Sequence, residues 1–322
     1  MNIYEIAEKA GVSRSTVSRV INDDPRVSDA TRRRVRQVII REDYHPSRSA
    51  RLMASQRSGV IGVSGLSGPR PEPNDIYRLH AIVAALLARG LQPRILDLSN
   101  DEAPDLGSLE GAIVCGDAPS LLGKLSETGV PIVNAGPFSE HVPYHVGTDY
   151  FRGGEMAARH LWECGARRFA FVSSAQGATV SSGAKMKYRG ASCFLEELCL
   201  DLSTNLSPEE ERDDGLAVWR QLVQEGPTPD GVIANNEAMG MGILMGLHES
   251  GLIPGRDVKV ICYDDFHIAR HAGLSAIDQQ YSELGRAAAE MLAELLDGKR
   301  ETPRQVVLSP RLIVRASTGG EA

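Results

Sequence analysis

No stretch of this 322-residue chain holds the roughly 18 consecutive apolar residues that a membrane span needs. Its start, Met1-Asn2-Ile3-Tyr4-Glu5, has no basic n-region and no apolar core of a secretory signal, so a cytoplasmic protein is expected. Cysteine is sparse and scattered. Cys115, Cys164, Cys193, Cys199 and Cys262 are odd in number, form no CxxC pair and cluster with no histidine, which speaks against a disulfide framework or a zinc finger. The eight histidines show no metal-ligand spacing. Catalytic signatures are also missing: there is no Walker A loop, GxSxG elbow or HExxH helix. Gly240-x-Gly242-x-x-x-Gly246 has the wrong spacing for a dinucleotide loop and reads better as small residues seating a helix on a sheet. No enzyme, metal or cofactor is therefore expected.

What is present begins with charge. The net charge of −7 hides an asymmetry: residues 1–57 hold twelve basic and seven acidic residues, while the remainder holds 23 basic and 35 acidic ones. A basic head on an acidic body suggests that only the head meets a polyanion, although an uneven solvated surface fits the same numbers.

The head reads as helices. Asn2 can cap a first helix with Glu5 as its box partner, and Ile3, Ile6, Ala7 and Ala10 follow helical spacing. Gly11 suits a turn with positive φ. Ser13 can cap a second helix over 14–22, with Val17, Val20 and Ile21 on one face and Arg14, Ser15, Ser18, Arg19 and Asn22 on the other. Two short helices around a tight glycine turn make a helix-turn-helix, and the polar face of the second suits a major groove. Arginine there can grip guanine O6 and N7, yet an ordinary solvated helix face gives the same spacing. Ser28 can cap a third helix bearing Arg32, Arg33 and Arg34, whose basic cluster fits phosphate contact or plain solvation. Residues 47–55 could make two helical turns, too short to be stable alone.

These residues carry a specific likeness. Ile3 to Ser13, then Thr16-Val17-Ser18-Arg19-Val20-Ile21-Asn22, Val27-Ser28, Thr31-Arg32, Val35 and Tyr44-His45-Pro46-Ser47 resemble the DNA-binding headpiece of the LacI/GalR repressor family. The resemblance implies base contacts from Arg14, Ser15 and Arg19, and backbone contacts from Ser13, Thr16, Ser18, Asn22, Ser28 and Thr31. It also implies a minor-groove hinge carrying Arg48, Ala50, Arg51, Leu52 and Met53. Met53 stands where the family has its wedging leucine, with packing against a sister hinge as the alternative.

From Gly59 onward, strand-like runs at 60–64, 94–98, 112–115, 132–135, 145–147, 169–172, 231–234, 258–263 and 276–278 alternate with helical stretches such as 77–89, 151–164 and 283–297. That alternation means α/β with parallel sheets, and 305–316 can add late strands. Val146-Gly147-Thr148-Asp149, His160-Leu161 with Gly165-Ala166-Arg167-Arg168, Asn236-Glu237 before Met239-Gly240, Val260 to Asp265, and Leu284 to Ala288 resemble the effector domain of the same family. That domain is similar to type I periplasmic binding proteins: two doubly wound parallel-sheet subdomains with a ligand cleft between them.

The expected layout is a small all-α helix-turn-helix domain at 1–46, a hinge and linker at 47–58, and an α/β effector-binding and dimerisation domain at 59–322. Its N-subdomain is expected at 59–163 plus 281–302, and its C-subdomain at 164–280 plus 303–322. The resemblance makes Asp149, Lys187, Asn236 and Asp264 the effector-pocket residues, although Asp149 can equally cap a helix and Asp264 can satisfy turn amides. Several features depart from the family: Lys187 for arginine, Ala191 for an aromatic, Glu237 for aspartate, Pro69 to Asp75 without aromatics, and room for only a loop between Ser99 and Gly111. The expected function is a transcription regulator, a repressor in the sense of its family, that binds a pseudo-palindromic double-stranded operator as a homodimer under control of a sugar or other metabolite. The chain stops soon after its last strand, without a leucine-heptad tail, which favours a dimer over a tetramer. A solute-binding protein with an accessory head fits the basic headpiece poorly, and a nucleotide-binding α/β enzyme lacks its phosphate loop.

Overall fold

The structure, a computed structural model, describes residues 3–21, 24–42, 58–65, 73–96, 106–116, 118–137, 142–174, 182–207, 215–299 and 304–320. The chain divides into two compact units, Met1–Gly59 and Val60–Ala322.

The first unit holds α1 (Ile3–Ala10), α2 (Arg14–Ile21) and α3 (Asp29–Arg41). Their apolar faces meet in a small core of Ile6, Ala7, Ala10, Val17, Val20 and Val35. Gly11 takes φ +60°, and the amide of Val12 returns to the Ala7 carbonyl at 3.0 Å, which ends α1 and aims α2. Ser13 accepts a hydrogen bond from the Thr16 amide and Ser28 accepts one from the Thr31 amide, so both expected caps form. Asn2, Asn22 and the hinge residues Arg48, Ala50, Arg51, Leu52 and Met53 lie outside the described residues.

The second unit is two layered α/β subdomains. One sheet contains β1 (Val60–Val63), β2 (Gln92–Ile95), β3 (Gly111–Cys115), β4 (Ile132–Ala135), β5 (Tyr144–Thr148) and β11 (Arg304–Leu308). Its order is β11-β5-β4-β3-β1-β2, all parallel. The other contains β6 (Phe169–Ser174), β7 (Leu202–Ser207), β8 (Gly231–Ala234), β9 (Lys259–Tyr263), β10 (Ser275–Asp278) and β12 (Arg311–Ile313), ordered β12-β10-β9-β8-β6-β7. Only β12 runs antiparallel in it. The helices are α4 (Pro73–Ala88), α5 (Pro119–Thr128), α6 (Tyr150–Glu163), α7 (Ser182–Glu197), α8 (Gly215–Glu225), α9 (Glu237–Glu249), α10 (His267–His271) and α11 (Tyr281–Leu296). Helices cover both faces of each sheet, so β3, β4 and β8 are buried end to end; β3 and β8 read as unbroken apolar runs, and β4 is broken only by Asn134, whose amide donates to the Pro137 carbonyl at 3.0 Å.

The chain passes between subdomains three times, after β5, after β10 and after β11. Two expected boundaries therefore move. Helix α6 was assigned to the N-subdomain, but its Ala157, Ala158 and Leu161 pack with Phe169, Phe171 and Ile233 of the second sheet, because only there does its apolar face meet a partner. Strand β11 was assigned to the C-subdomain, but it pairs with β5 in register from Arg304 opposite Tyr144 to Leu308 opposite Thr148. A half-exposed edge strand carries no sequence mark of the sheet it will join. The strand expected at 94–98 begins earlier, at Gln92, and runs to Ile95, residues 97 and 98 lying outside the described residues; β7 is an addition, its Leu-Ser-Thr-Asn-Leu-Ser lacking an apolar run.

Glycines set the closest contacts. A Cβ at Gly154 of α6 would stand 2.0 Å from the Lys187 carbonyl oxygen, and one at Gly190 of α7 would stand 1.9 Å from that of Phe151. The two helices thus cross backbone to backbone. Gly240 seats α9 on the sheet against Leu274 and Cys262, whereas Gly242 and Gly246 seat it against α8, at the Leu216 amide and the Trp219 ring.

Gly190→Ala is expected to force α6 and α7 apart and lower stability by about 1–3 kcal/mol in urea unfolding. An unchanged midpoint would show that the crossing can relax. Burial also pushes the His145 and His160 imidazoles below their ordinary value. The native state then resists a proton that the unfolded chain accepts, so stability is full above about pH 6.5 and falls as pH drops below it. Replacing both with glutamine should flatten that slope in a pH series of thermal melts.

Candidate DNA-binding and effector sites

On the first unit, Arg14, Ser15 and Arg19 are exposed on α2. The hydroxyls of Ser15 and Thr16 lie 2.8 and 2.9 Å from that of Ser13, gathering three oxygens at the amino end of the helix. Arg14 donates to the Tyr4 hydroxyl at 3.0 Å. The Arg19 guanidinium is 4.0 Å from Asp24, whose principal partner is Arg26. Hydrogen bonds from Arg26 hold the Asp24 carboxyl down at about 2. The basic cluster divides: Arg32 braces the α2–α3 connection by donating to the Asp24 carbonyl at 2.8 Å, while Arg33 and Arg34 face solvent. Ser28 is exposed and Thr31 half-buried at the start of α3.

In the second unit, the four pocket candidates gather at the carboxyl ends of the strands. Asp149 caps α6 through the Arg152 amide at 2.8 Å, and Asn236 caps α9 through the Met239 amide at 2.9 Å. Lys187 is only 6% exposed. Its Nζ donates to the Asn235 carbonyl at 3.0 Å and stands 4.2 and 5.9 Å from the ring centres of Tyr263 and Tyr150. One ammonium therefore touches the chain neighbours of the other three candidates. Asp264 is buried with φ +75°, an unfavourable conformation for a residue with a Cβ, and accepts from Gln279 Nε2 at 2.5 Å.

Other residues of this region were not expected. Arg78 is 5% exposed and donates to Asp75 at 2.5 Å, with its guanidinium 5.8 Å from the Tyr281 ring. It lies on the inward stripe of α4 with Ile82 and Leu86, so the signal was a lone charge at i, i+4, i+8 spacing on an apolar face. Burial pushes the Tyr150 phenol up to about 12, opposed by the Arg78 charge. Gln279 also donates to the Tyr281 hydroxyl at 2.9 Å. Tyr77 of α4 stacks on Phe266 with ring centres 4.4 Å apart and planes 2° off parallel, joining the two subdomains. Glu237 explains itself here: its carboxylate accepts from the Phe266 amide at 3.1 Å and so fixes the ring that Tyr77 covers. Burial raises the Glu237 carboxyl, opposed by the backbone amides of Ala269, Phe266 and Ile268. Among the described residues no acidic, histidine or cysteine cluster could hold a metal, and no helix is long and apolar enough to cross a membrane.

Residues 2–47 match the bacterial regulatory proteins of the lacI family, and residues 158–318 match the periplasmic binding protein-like domain. The chain is 32% identical to the HTH-type transcriptional regulator CelR of Thermobifida fusca, over 97% of this chain and 96% of that protein. This chain belongs to the LacI family. The HTH-type transcriptional repressor PurR of Haemophilus influenzae (strain PittEE) is 28% identical over 98% of both chains. The solved complex of the transcriptional regulator CelR with cellobiose has a TM-score of 0.70 at 28% identity, covering 98% of this chain and 99% of that one. The lac repressor dimer bound to operator and the anti-inducer ONPF has a TM-score of 0.76 at 23% identity, covering 99% of each, a likeness of fold. This LacI-family chain is thus a DNA-binding transcription regulator and not an enzyme.

Gln279→Ala should remove a donor from the buried Asp264 carboxylate of this LacI-family regulator and cost about 1–3 kcal/mol in urea unfolding. A midpoint equal to the parent's would show that other partners hold that carboxylate.

Proposed function

We propose that this LacI-family regulator is a cytoplasmic repressor that binds a pseudo-palindromic operator as a homodimer and is controlled by a small molecule in the cleft between its subdomains. The observation that carries the effector part is a set of buried polar atoms around Lys187 and Arg78. The Tyr263 hydroxyl, Gln279 Oε1 and Arg78 Nε have no hydrogen-bond partner among the described residues. A buried polar group left unsatisfied costs about 1–3 kcal/mol, which a ligand with matching hydroxyl and carbonyl groups removes. Asp149, Lys187, Asn236 and Asp264 are the proposed effector contacts, for a sugar or other polar metabolite. The cellobiose in the CelR complex supports the sugar class.

On the DNA side, Arg14, Ser15 and Arg19 are the proposed base readers, and Ser13, Thr16, Ser18, Asn22, Ser28 and Thr31 the proposed backbone contacts. A headpiece at 1–46 and a minor-groove hinge within 47–58 complete the reader. The dimer is supported by an apolar stripe on α4, where Ile76 and Leu87 are each about half exposed, continued by Ile95 on the edge strand β2. A two-fold protein reads a two-fold site. Control works as a population shift: the effector binds one spacing of the subdomains more tightly and so biases the state that holds DNA.

Selection of the full-length chain on a random duplex library at physiological salt should enrich a palindrome of about 14–20 base pairs. Sedimentation should give twice the 34.8 kDa chain mass. Arg19→Ala should lower the ratio of specific to random binding by about 1–3 kcal/mol. A monomer, or Arg19→Ala binding every duplex as the parent does, would overturn the reading.

A further inference from the structure

The geometry points to Tyr4 as a positioning residue that sets the base preference of Arg14, an inference that rests on the reading of Arg14 as a base contact. Tyr4 lies on α1, ten residues before Arg14, and the glycine turn folds the two helices so that the side chains meet on the outside of the headpiece. The Arg14 NH1 group donates to the Tyr4 hydroxyl at 3.0 Å, and the guanidinium carbon lies 5.6 Å from the centre of the same ring. Tyr4 is 63% exposed and is absent from the headpiece core. An exposed aromatic residue outside the core that holds an arginine by both its hydroxyl and its face is placed to orient that arginine.

Orientation supplies one. A guanidinium reads guanine only when its fork lies in the plane of the base edge, so that two donors meet O6 and N7 together. A free arginine samples many rotamers and must surrender that freedom when it docks. The Tyr4 hydroxyl engages one of the five N–H groups, and the ring restricts the plane in which the others lie. The arginine is then ordered before DNA arrives, and the donors that remain present a fixed fork. Among the described residues no aromatic ring supports the other proposed readers: Ser15 pairs with the Ser13 hydroxyl at the helix end, and Arg19 approaches Asp24 only to 4.0 Å. The pair therefore sharpens discrimination at the operator position that Arg14 faces, while contributing little to binding of random DNA.

The test is library selection on five full-length proteins: the parent, Tyr4→Phe, Tyr4→Ala, Arg14→Ala and the double variant Tyr4→Ala/Arg14→Ala. Arg14→Ala should flatten the preference at one symmetric pair of operator positions. Tyr4→Ala should relax the same positions by about twofold to fivefold, the size of an exposed cation–π contact, and leave the others alone. Tyr4→Phe, which keeps the ring, should fall between Tyr4→Ala and the parent. The double variant should match Arg14→Ala, because Tyr4 has nothing to position once the arginine is gone. Circular dichroism melts should be unchanged throughout. A uniform loss of affinity in Tyr4→Ala, or effects that add in the double variant, would mean that Tyr4 contacts the DNA on its own and would overturn the inference. If Arg14→Ala leaves every position unchanged, the base-contact reading itself fails and the inference falls with it.

Discussion

The crossing of α6 and α7 is the constraint on which the second unit depends. Gly154 lies against the carbonyl of Lys187, so the one place where these helices touch without side chains is also the place that fixes the buried lysine. From there the ammonium reaches the Asn235 carbonyl at the end of β8 and the Tyr263 ring at the end of β9. Move α7 outward by a methyl group and the lysine leaves all of these partners together. Two glycines that carry no side chain thus set where that charge sits.

That charge is unusual in its compensation. Burying an ion is costly unless it is paired and hydrogen-bonded. Here Arg78 is met by Asp75 and the face of Tyr281, Lys187 by a carbonyl and two ring faces, Asp264 by Gln279, and Glu237 by backbone amides. Lysine rather than arginine suits the Lys187 site. A compact ammonium can point one proton at a carbonyl while resting on a ring, whereas a planar fork wants two acceptors side by side. Neutral tyrosine rings turn their faces to both cations, and the Tyr281 hydroxyl also accepts from Gln279, while the Tyr77–Phe266 stack joins the two subdomains.

Legibility in the sequence followed burial. Strands covered on both faces, such as β3 and β8, declare themselves as apolar runs, and the headpiece core follows a helical period. Edge strands do not: β2 is shifted, β7 hides in polar residues, and β11 joins a sheet that local pattern cannot name. The site divides in the same way. Asp149, Asn236 and Asp264 were marked by the resemblance to the family, and the structure places each just after a strand. Arg78, Gln279, Tyr281 and the Tyr77–Phe266 stack matter through neighbours far away in the chain, and only folding brings those neighbours near. Glu237 looked like a substitution in the pocket and proves to be the anchor of the next turn.

The three passages between subdomains are laced together. The Asp149 amide donates to the Leu308 carbonyl at 3.0 Å, and the Gln280 side chain donates to the Ser309 carbonyl at 2.5 Å. Three strands tied side by side can bend as one ribbon, but they cannot slide past each other without breaking those ties. The body is left with a single easy axis, as a door has on its pins. Any change in the spacing of the two subdomains is then a matter of how far, and not of which way.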